Sequence, residues 1–187
     1  MVSNLQYPTT ILFTPDGRTL IGQITGEVRV YQNGALLPTP MITLPVENFE
    51  EQGLLGMALH PNFPDSAYLY ILYTPLTGHQ TNNQHYLSRF TVTGNTANPA
   101  SEAILFTGFP TGPGFHVAGC IRTTSDGYLY ATDGDNGSGQ AGHQYAQDLS
   151  RFEGKMIRLK LVFGRRYKPG AGLVHFAFVE NRVDMAF

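Results

Sequence analysis

Three copies of one short pattern constrain this chain more than any other feature: an apolar strand, a turn built on Pro, Asn, Asp or Gly, and a second apolar or aromatic strand. In the first copy residues 11–13 and 20–23 flank Pro15-Asp16-Gly17. In the second, residues 54–60 and 68–73 flank Pro61-Asn62-Phe63-Pro64-Asp65. In the third, residues 120–123 and 128–132 flank Ser125-Asp126-Gly127. Pro pre-sets the entry to such turns and Gly takes the positive φ they require. Alternating strands follow the first two copies, at residues 27–31 and 86–92. The turn centres, near 16, 62 and 126, lie 46 and 64 residues apart. A unit recurring at about this period suggests an all-β propeller with blades of four strands each. A β-sandwich with similar turns is the competing architecture. The 21 Gly and 12 Pro, with many Tyr, Phe, Thr and Val and no long apolar helical stripe, also favour short strands joined by turns.

Other global properties exclude whole classes of function. A net charge of −2 gives no reason to expect nucleic acid or an anionic membrane as partner. No apolar run reaches the length of a membrane span. A single cysteine, Cys120, rules out an intrachain disulfide framework and a multi-cysteine metal site. The opening M-V-S-N-L-Q-Y-P shows no basic region followed by an apolar one, so no signal peptide is visible. The character changes after Leu159. Residues 160–187 carry five basic and two acidic side chains, whereas residues 1–159 carry seven and twelve. The expectation is a repeat domain over 1–159 and a divergent, irregular tail over 160–187 from a truncation, frameshift or fusion, whose L-V-F and V-H-F-A-F runs could form a hairpin that nothing ties to the repeat; a genuine final strand pair is the alternative.

The chemistry concentrates between Phe115 and Asp135. His116 opens this stretch in a Gly/Pro-rich loop, and Asp133 and Asp135 close it. A β-hairpin between them would return Asp135 to the end of the sheet where His116 lies, because its strands are antiparallel. A base with an acid beside it is the start of a proton-transfer site. The other histidines read as structural or solvated: His60, before a proline turn, with its ring bonded to backbone; His79, His85 and His143 in polar loops. Residues 76–85, 94–101 and 108–115 read as loops between blades. Residues 137–142 fit G-x-G-x-x-G but follow no strand and lie in no βαβ alternation, so a dinucleotide site is set aside. The run from Asp133 to Gly137 has oxygen ligands, but its spacing fails the EF-hand pattern, with Gln144 at the twelfth position. No nucleophile-elbow serine is present.

At these residues the chain resembles the glucose/sorbosone dehydrogenases, soluble six-bladed propellers that use pyrroloquinoline quinone (PQQ). The resemblance runs over roughly residues 7–159. It is carried by Pro15-Asp16-Gly17, by the run G-L-L-G-M-A-L-H-P-N-F from Gly53, by Ser88-Arg89-Phe90, by His116-Val117-Ala118-Gly119, by Asp126-Gly127-Tyr128-Leu129-Tyr130 leading to Gly134-Asp135, and by G-K-M-I-R-L from Gly154. It implies a six-bladed quinoprotein-type propeller of which about three blades are present. It implies that His116 is a general base taking the proton from a sugar's anomeric hydroxyl, and that Asp135 orients its imidazole. It also implies PQQ as hydride acceptor with a calcium ion polarising it, a sugar or alcohol substrate, and a secreted or periplasmic location. Some members place a Gln near the cofactor just before the G-L-L-G run, and here Glu51 and Gln52 stand at that point as the candidate cofactor-binding residues. Sugar-oxidising members carry Arg after H-x-x-G, where this chain has Cys120. No protein ligand set for a metal is assigned. The Arg-Asn motif, calcium ligands and basic cluster of the family's second half are not found after Leu159. The expectation is therefore a partial propeller with inherited catalytic residues, its activity alone left open, with unpaired blade edges that could drive self-association. Two alternatives stand beside it: a non-catalytic propeller that binds a protein or carbohydrate, and a calcium-dependent lactonase-like propeller with its ion at Asp133 and Asp135.

Overall fold

The computed structural model describes residues 2–77, 84–137, 145–161 and 176–178, the last three by their backbone alone. The described strands form three antiparallel sheets, each a blade. Blade one contains β1 (Pro8–Phe13), β2 (Thr19–Gln23), β3 (Glu27–Gln32) and β4 (Ala35–Leu36), with β5 (Ile42–Thr43) also pairing β3. Blade two contains β6 (Leu54–Leu59), β7 (Tyr68–Tyr73), β8 (Gln84–Thr93) and β9 (Thr96–Pro110). Blade three contains β10 (Ile121–Thr123), β11 (Tyr128–Thr132), β12 (Met156–Lys160) and β13 (Phe176–Phe178). Strands adjacent in sequence are adjacent in each path, the meander of a propeller blade. The first strands of the blades, β1, β6 and β10, lie side by side.

Sequence pattern explains which blade sits in the middle. β7 reads Y-L-Y-I-L-Y with no polar position, and both its faces are covered. Leu69, Ile71 and Tyr73 join a cluster with Leu20, Val28 and Val30 of blade one. Tyr70 and Leu72, one residue out of phase, join Leu129, Ala131, Ile157 and Leu159 of blade three. By contrast β3, E-V-R-V-Y-Q, buries only Val28 and Val30. A strand with one covered face alternates, whereas a strand between two layers does not need to.

Two contacts hold the blades in register. Arg18, buried at the first turn, donates to both carboxylate oxygens of Asp16 and to Gly94 O and Asn95 Oδ1 in the β8–β9 turn. This ties the β1–β2 turn of blade one to the β8–β9 turn of blade two. Nearer the axis, β6 and the start of β10 pass so closely that a Cβ on Gly56 would lie 1.7 Å from Gly119 O. The glycines of the G-L-L-G and H-x-x-G motifs are therefore one packing contact between blades.

Two sequence expectations change. Residues 94–101 and 108–115 do not read as strand, yet the fifteen residues of β9 pair with β8 along its length, with three register shifts. β9 is the outer edge of its blade, where a missing N–H or a bulge is tolerated, so Asn, Pro and Gly do not exclude a strand there. Residues 176–178 of the V-H-F-A-F run also do not stand apart from the repeat. Residues 176–178 pair antiparallel with β12, matching Ile157 with Phe178, and supply the fourth strand of blade three.

Gly56→Ala should lower the unfolding free energy by about 2 kcal/mol or more, because backbone stands where the methyl group must go. Gly94→Ala has nothing within 4 Å but a φ of +56°, and should cost only about 1 kcal/mol of conformational strain. Urea unfolding of both variants separates the steric effect from the conformational one.

Candidate active site

Three loops meet at one end of the inner strands. They run from β5 to β6, from β9 to β10, and onward from the end of β11. Backbone and side-chain bonds stitch the first two together: Glu51 N donates to Gly114 O at 3.1 Å, and Val117 N donates to Glu51 Oε2 at 3.0 Å. Gln52 is buried and its amide donates to Thr111 O at 3.3 Å. The third loop passes beneath the second at Gly134, where a Cβ would lie 1.6 Å from His116 O. Only glycine permits that approach, and it explains the Gly of Gly134-Asp135.

The approach brings His116 and Asp135 together. His116 Nδ1 lies 3.0 Å from Asp135 Oδ1, which also accepts the Gly137 N–H at 2.9 Å. His116 has a φ of +57°, a conformation uncommon outside glycine and a reason to look for function at an observed outlier. Both side chains reach solvent, at 51% and 37% of their surface. The Gly137 amide, and then the His116 ring, hold the Asp135 carboxyl below its ordinary range. With Nδ1–H given to the carboxylate, the lone pair of His116 sits on Nε2, the atom that can take a proton from a ligand. Cys120 is exposed nearby along the same loop.

Glu51 lies against this pair through Val117, whereas the Gln52 side chain faces inward to Thr111. His60 behaves as expected, buried with Nδ1 accepting the Asn62 N–H at 3.1 Å, and burial lowers its pKa. His79, His143 and residues 138–142 of the glycine-rich run lie outside the described residues. His85 is a correction. It is fully buried, not solvated: it lies in β8 opposite Phe109, two residues before buried Leu87, where register shifts change the phase of the strand.

His85 and Asp133 form a second pair behind the first, and sequence reading missed it. Both side chains are wholly buried, with His85 Nε2 3.9 Å from Asp133 Oδ1. Burial pushes the His85 pKa down to about 4 and the Asp133 pKa up to about 8. The charge facing Asp133 is that of Glu153, itself bonded to Arg151. Asp133 and Asp135 thus take separate partners in separate environments, and do not converge as the calcium-site expectation requires. Among the described residues no group of three or more His, Cys, Asp or Glu side chains is placed to hold a metal.

The described residues also do not fit PQQ by themselves. Its three carboxylates call for cationic partners. The pair is flanked by the carboxylate of Glu51, and among the described residues no Lys or Arg bonds to His116, Asp135 or Glu51.

The chain belongs to the glucose/sorbosone dehydrogenase family, whose model matches residues 5–165. It is 27% identical to quinoprotein glucose dehydrogenase B of Acinetobacter calcoaceticus, over 86% of this chain and 38% of that protein. Among solved structures it resembles a putative oxidoreductase (glucose dehydrogenase) of Thermus thermophilus, with 33% identity and a TM-score of 0.73, covering 85% of this chain and 46% of that one. The PQQ-bound aldose sugar dehydrogenase of Streptomyces coelicolor matches with a TM-score of 0.70 and 24% identity, over 91% and 50% of the two chains, and shows the shared fold. The chain therefore spans half or less of the length of these relatives, in keeping with three blades of a larger propeller.

Two measurements check the geometry. In His116→Ala the Asp135 carboxyl midpoint, followed by carbon-13 NMR, should rise yet stay below the ordinary value, because the Gly137 amide remains. The buried pair sets a pH dependence of stability. Unfolded, His85 and Asp133 would titrate near 6.5 and 3.8. From about pH 4 to 6.5 the folded and unfolded pairs each hold one proton, so the pair adds no slope. From 6.5 to about 8 the folded pair keeps its proton and the unfolded pair has none. Stability should then fall as pH rises, by up to about 1.4 kcal/mol per pH unit. In Asp133→Asn that fall should vanish, and a rise from about pH 4 to 6.5 should replace it. Urea unfolding across this range reads both slopes.

Proposed function

We propose that this chain is the base-bearing part of a sugar (aldose) dehydrogenase-like quinoprotein, acting on a sugar or other alcohol. The observation that supports it most is the His116–Asp135 contact, on an exposed surface, at the positions where the family resemblance puts a base and its partner. In this reading His116 Nε2 accepts the proton of the anomeric hydroxyl. Asp135 fixes the ring through Nδ1 and stabilises the imidazolium that forms, as an orienting carboxylate does in other proton-transfer sites. Glu51 holds the loop that carries His116 by accepting the Val117 N–H.

In this reading PQQ would supply the hydride acceptor and calcium a Lewis acid. Their anchoring groups would come from outside the described residues, and β1, with Ile11 and Phe13 exposed, is an edge that further blades or a second chain would cover. A secreted or periplasmic setting belongs to the same reading, and no helix among the described residues is long and apolar enough to cross a membrane.

The test is titration of the chain with PQQ and calcium, following melting temperature, then PQQ-dependent dye reduction with aldoses. Specific binding should raise the melting temperature by mass action. His116→Ala should keep that rise and lower turnover by about 10²–10⁴-fold, the usual contribution of a general base. A folded chain that binds no PQQ, or one whose turnover ignores His116→Ala, would overturn the reading. Carbohydrate binding without turnover would favour a non-catalytic propeller.

A further inference from the structure

Behind the exposed pair, four buried polar atoms have no hydrogen-bond partner among the described residues: His85 Nε2, Asp133 Oδ1, Asn136 Oδ1 and Thr111 Oγ1. His85 Nε2 lies 3.9 Å from Asp133 Oδ1, and bonding and chain continuity bring Asn136 and Thr111 to the same region. Asn136 Nδ2 donates to Asp133 Oδ2 at 3.4 Å and to Pro110 O at 2.6 Å, and Thr111 follows Pro110. His85 is the second residue of β8, opposite Phe109 near the end of β9. An orphaned buried polar atom costs the desolvation of that group, and four together call for an explanation.

The donor and acceptor inventory supplies one. Thr74 Oγ1 accepts the Gly53 N–H at 3.3 Å and lies 3.0 Å from His85 Nδ1. Thr74 still has its hydroxyl proton to give, and giving it to Nδ1 puts the imidazole proton on Nε2, on the side of Asp133. Asp133 Oδ2 is used as an acceptor, so a protonated Asp133 carries its hydrogen on Oδ1. Two donors that face each other cannot bond directly, which accounts for a separation of 3.9 Å. One water between them accepts from both and donates to the two remaining acceptors, Asn136 Oδ1 and Thr111 Oγ1. Every orphan is then satisfied by four bonds to a single molecule, within the range usual for buried water.

We propose that His85, Asp133, Asn136 and Thr111 enclose one structural water, and that this closed unit positions the Asp135 loop against His116. The connections are short. Asp133 and Asp135 flank Gly134, the residue pressed under the His116 carbonyl. Asn136, in the left-handed region at φ +48°, sits between Asp135 and the Gly137 amide that Asp135 accepts. Thr111 carries the other side, since its carbonyl accepts from Gln52 and its loop leads to His116. The buried unit thus touches both loops of the exposed pair and none of its reacting atoms, so His85 and Asp133 are positioning residues. The importance of this support rests on the proposed dehydrogenase reading, but the support itself does not, and its readouts need neither cofactor nor turnover.

The test uses the full chain in solution NMR. In the unaltered protein the His85 ring should be neutral with its proton on Nε2 across pH 5–7.5, the Asp133 carboxyl should carry its proton at pH 7, and the Nε2 proton should show a dipolar contact to a long-lived water. Asp133→Asn keeps a donor toward the water and an acceptor for Asn136, and should leave the Asp135 carboxyl midpoint where it was. Asp133→Leu removes both, and should let that midpoint drift up toward the ordinary value. The proposal is overturned by a His85 imidazolium at pH 7, by an Nδ1–H tautomer, or by no water contact, each read in the unaltered protein even if the Leu variant fails to fold. An Asp135 midpoint unmoved in a folded Asp133→Leu protein would equally overturn the positioning role.

Discussion

The close passage of main chain against main chain at glycine is the constraint on which the rest depends. Gly56 against Gly119 sets how near blade three comes to blade two. Gly134 against His116 sets how near the third loop comes to the second. The first contact brings the start of β6 alongside the start of β10, and so brings Glu51 within reach of Val117. The second brings Asp135 within reach of His116. Apolar burial on both faces of β7 supplies cohesion, but burial is non-directional and would tolerate a shift of the blades. The glycine contacts give the assembly its register.

The two His–Asp pairs show how environment divides the work of one pair of residue types. The exposed pair keeps its carboxylate ionised, because backbone and ring N–H groups bond to it. The buried pair, denied water, shifts both groups toward their neutral forms. Only the first can exchange protons readily with a ligand. The second lies inside, with Asp133 two residues from Asp135, which is where the proposed closure would act on the exposed site.

Much of this was legible in the sequence, for physical reasons that can be named. The turns Pro15-Asp16-Gly17 and Ser125-Asp126-Gly127 fixed their hairpins, and the apolar runs at 20–23, 54–60, 68–73 and 128–132 are strands, the second ending one residue earlier at Leu59. The meeting of His116 with Asp135 followed from antiparallel return. β9 was not legible, because an edge strand tolerates Asn, Pro and bulges that a central strand would reject. The place of residues 176–178 in blade three depends on pairing across an intervening segment, which local pattern does not carry. His85 has polar neighbours and falls in phase with Arg89 and Thr91, so it reads as solvated; the register shifts between His85 and Ser88 that turn it inward leave no local signal. Asn136 gave no signal of its own in a run that reads as a turn.

The glycine crossings also bear on how such a site can diverge. Where backbone occupies the space a side chain would need, the position is closed to variation, and the proton-transfer geometry is carried as a shape of the main chain. Phe49, Phe115 and Cys120 are exposed on the same loops and carry no such restriction. On the proposed reading, ligand preference can be rewritten at those side chains while the geometry beneath them stays fixed, a separation of constant chemistry from adjustable recognition within a few residues of chain.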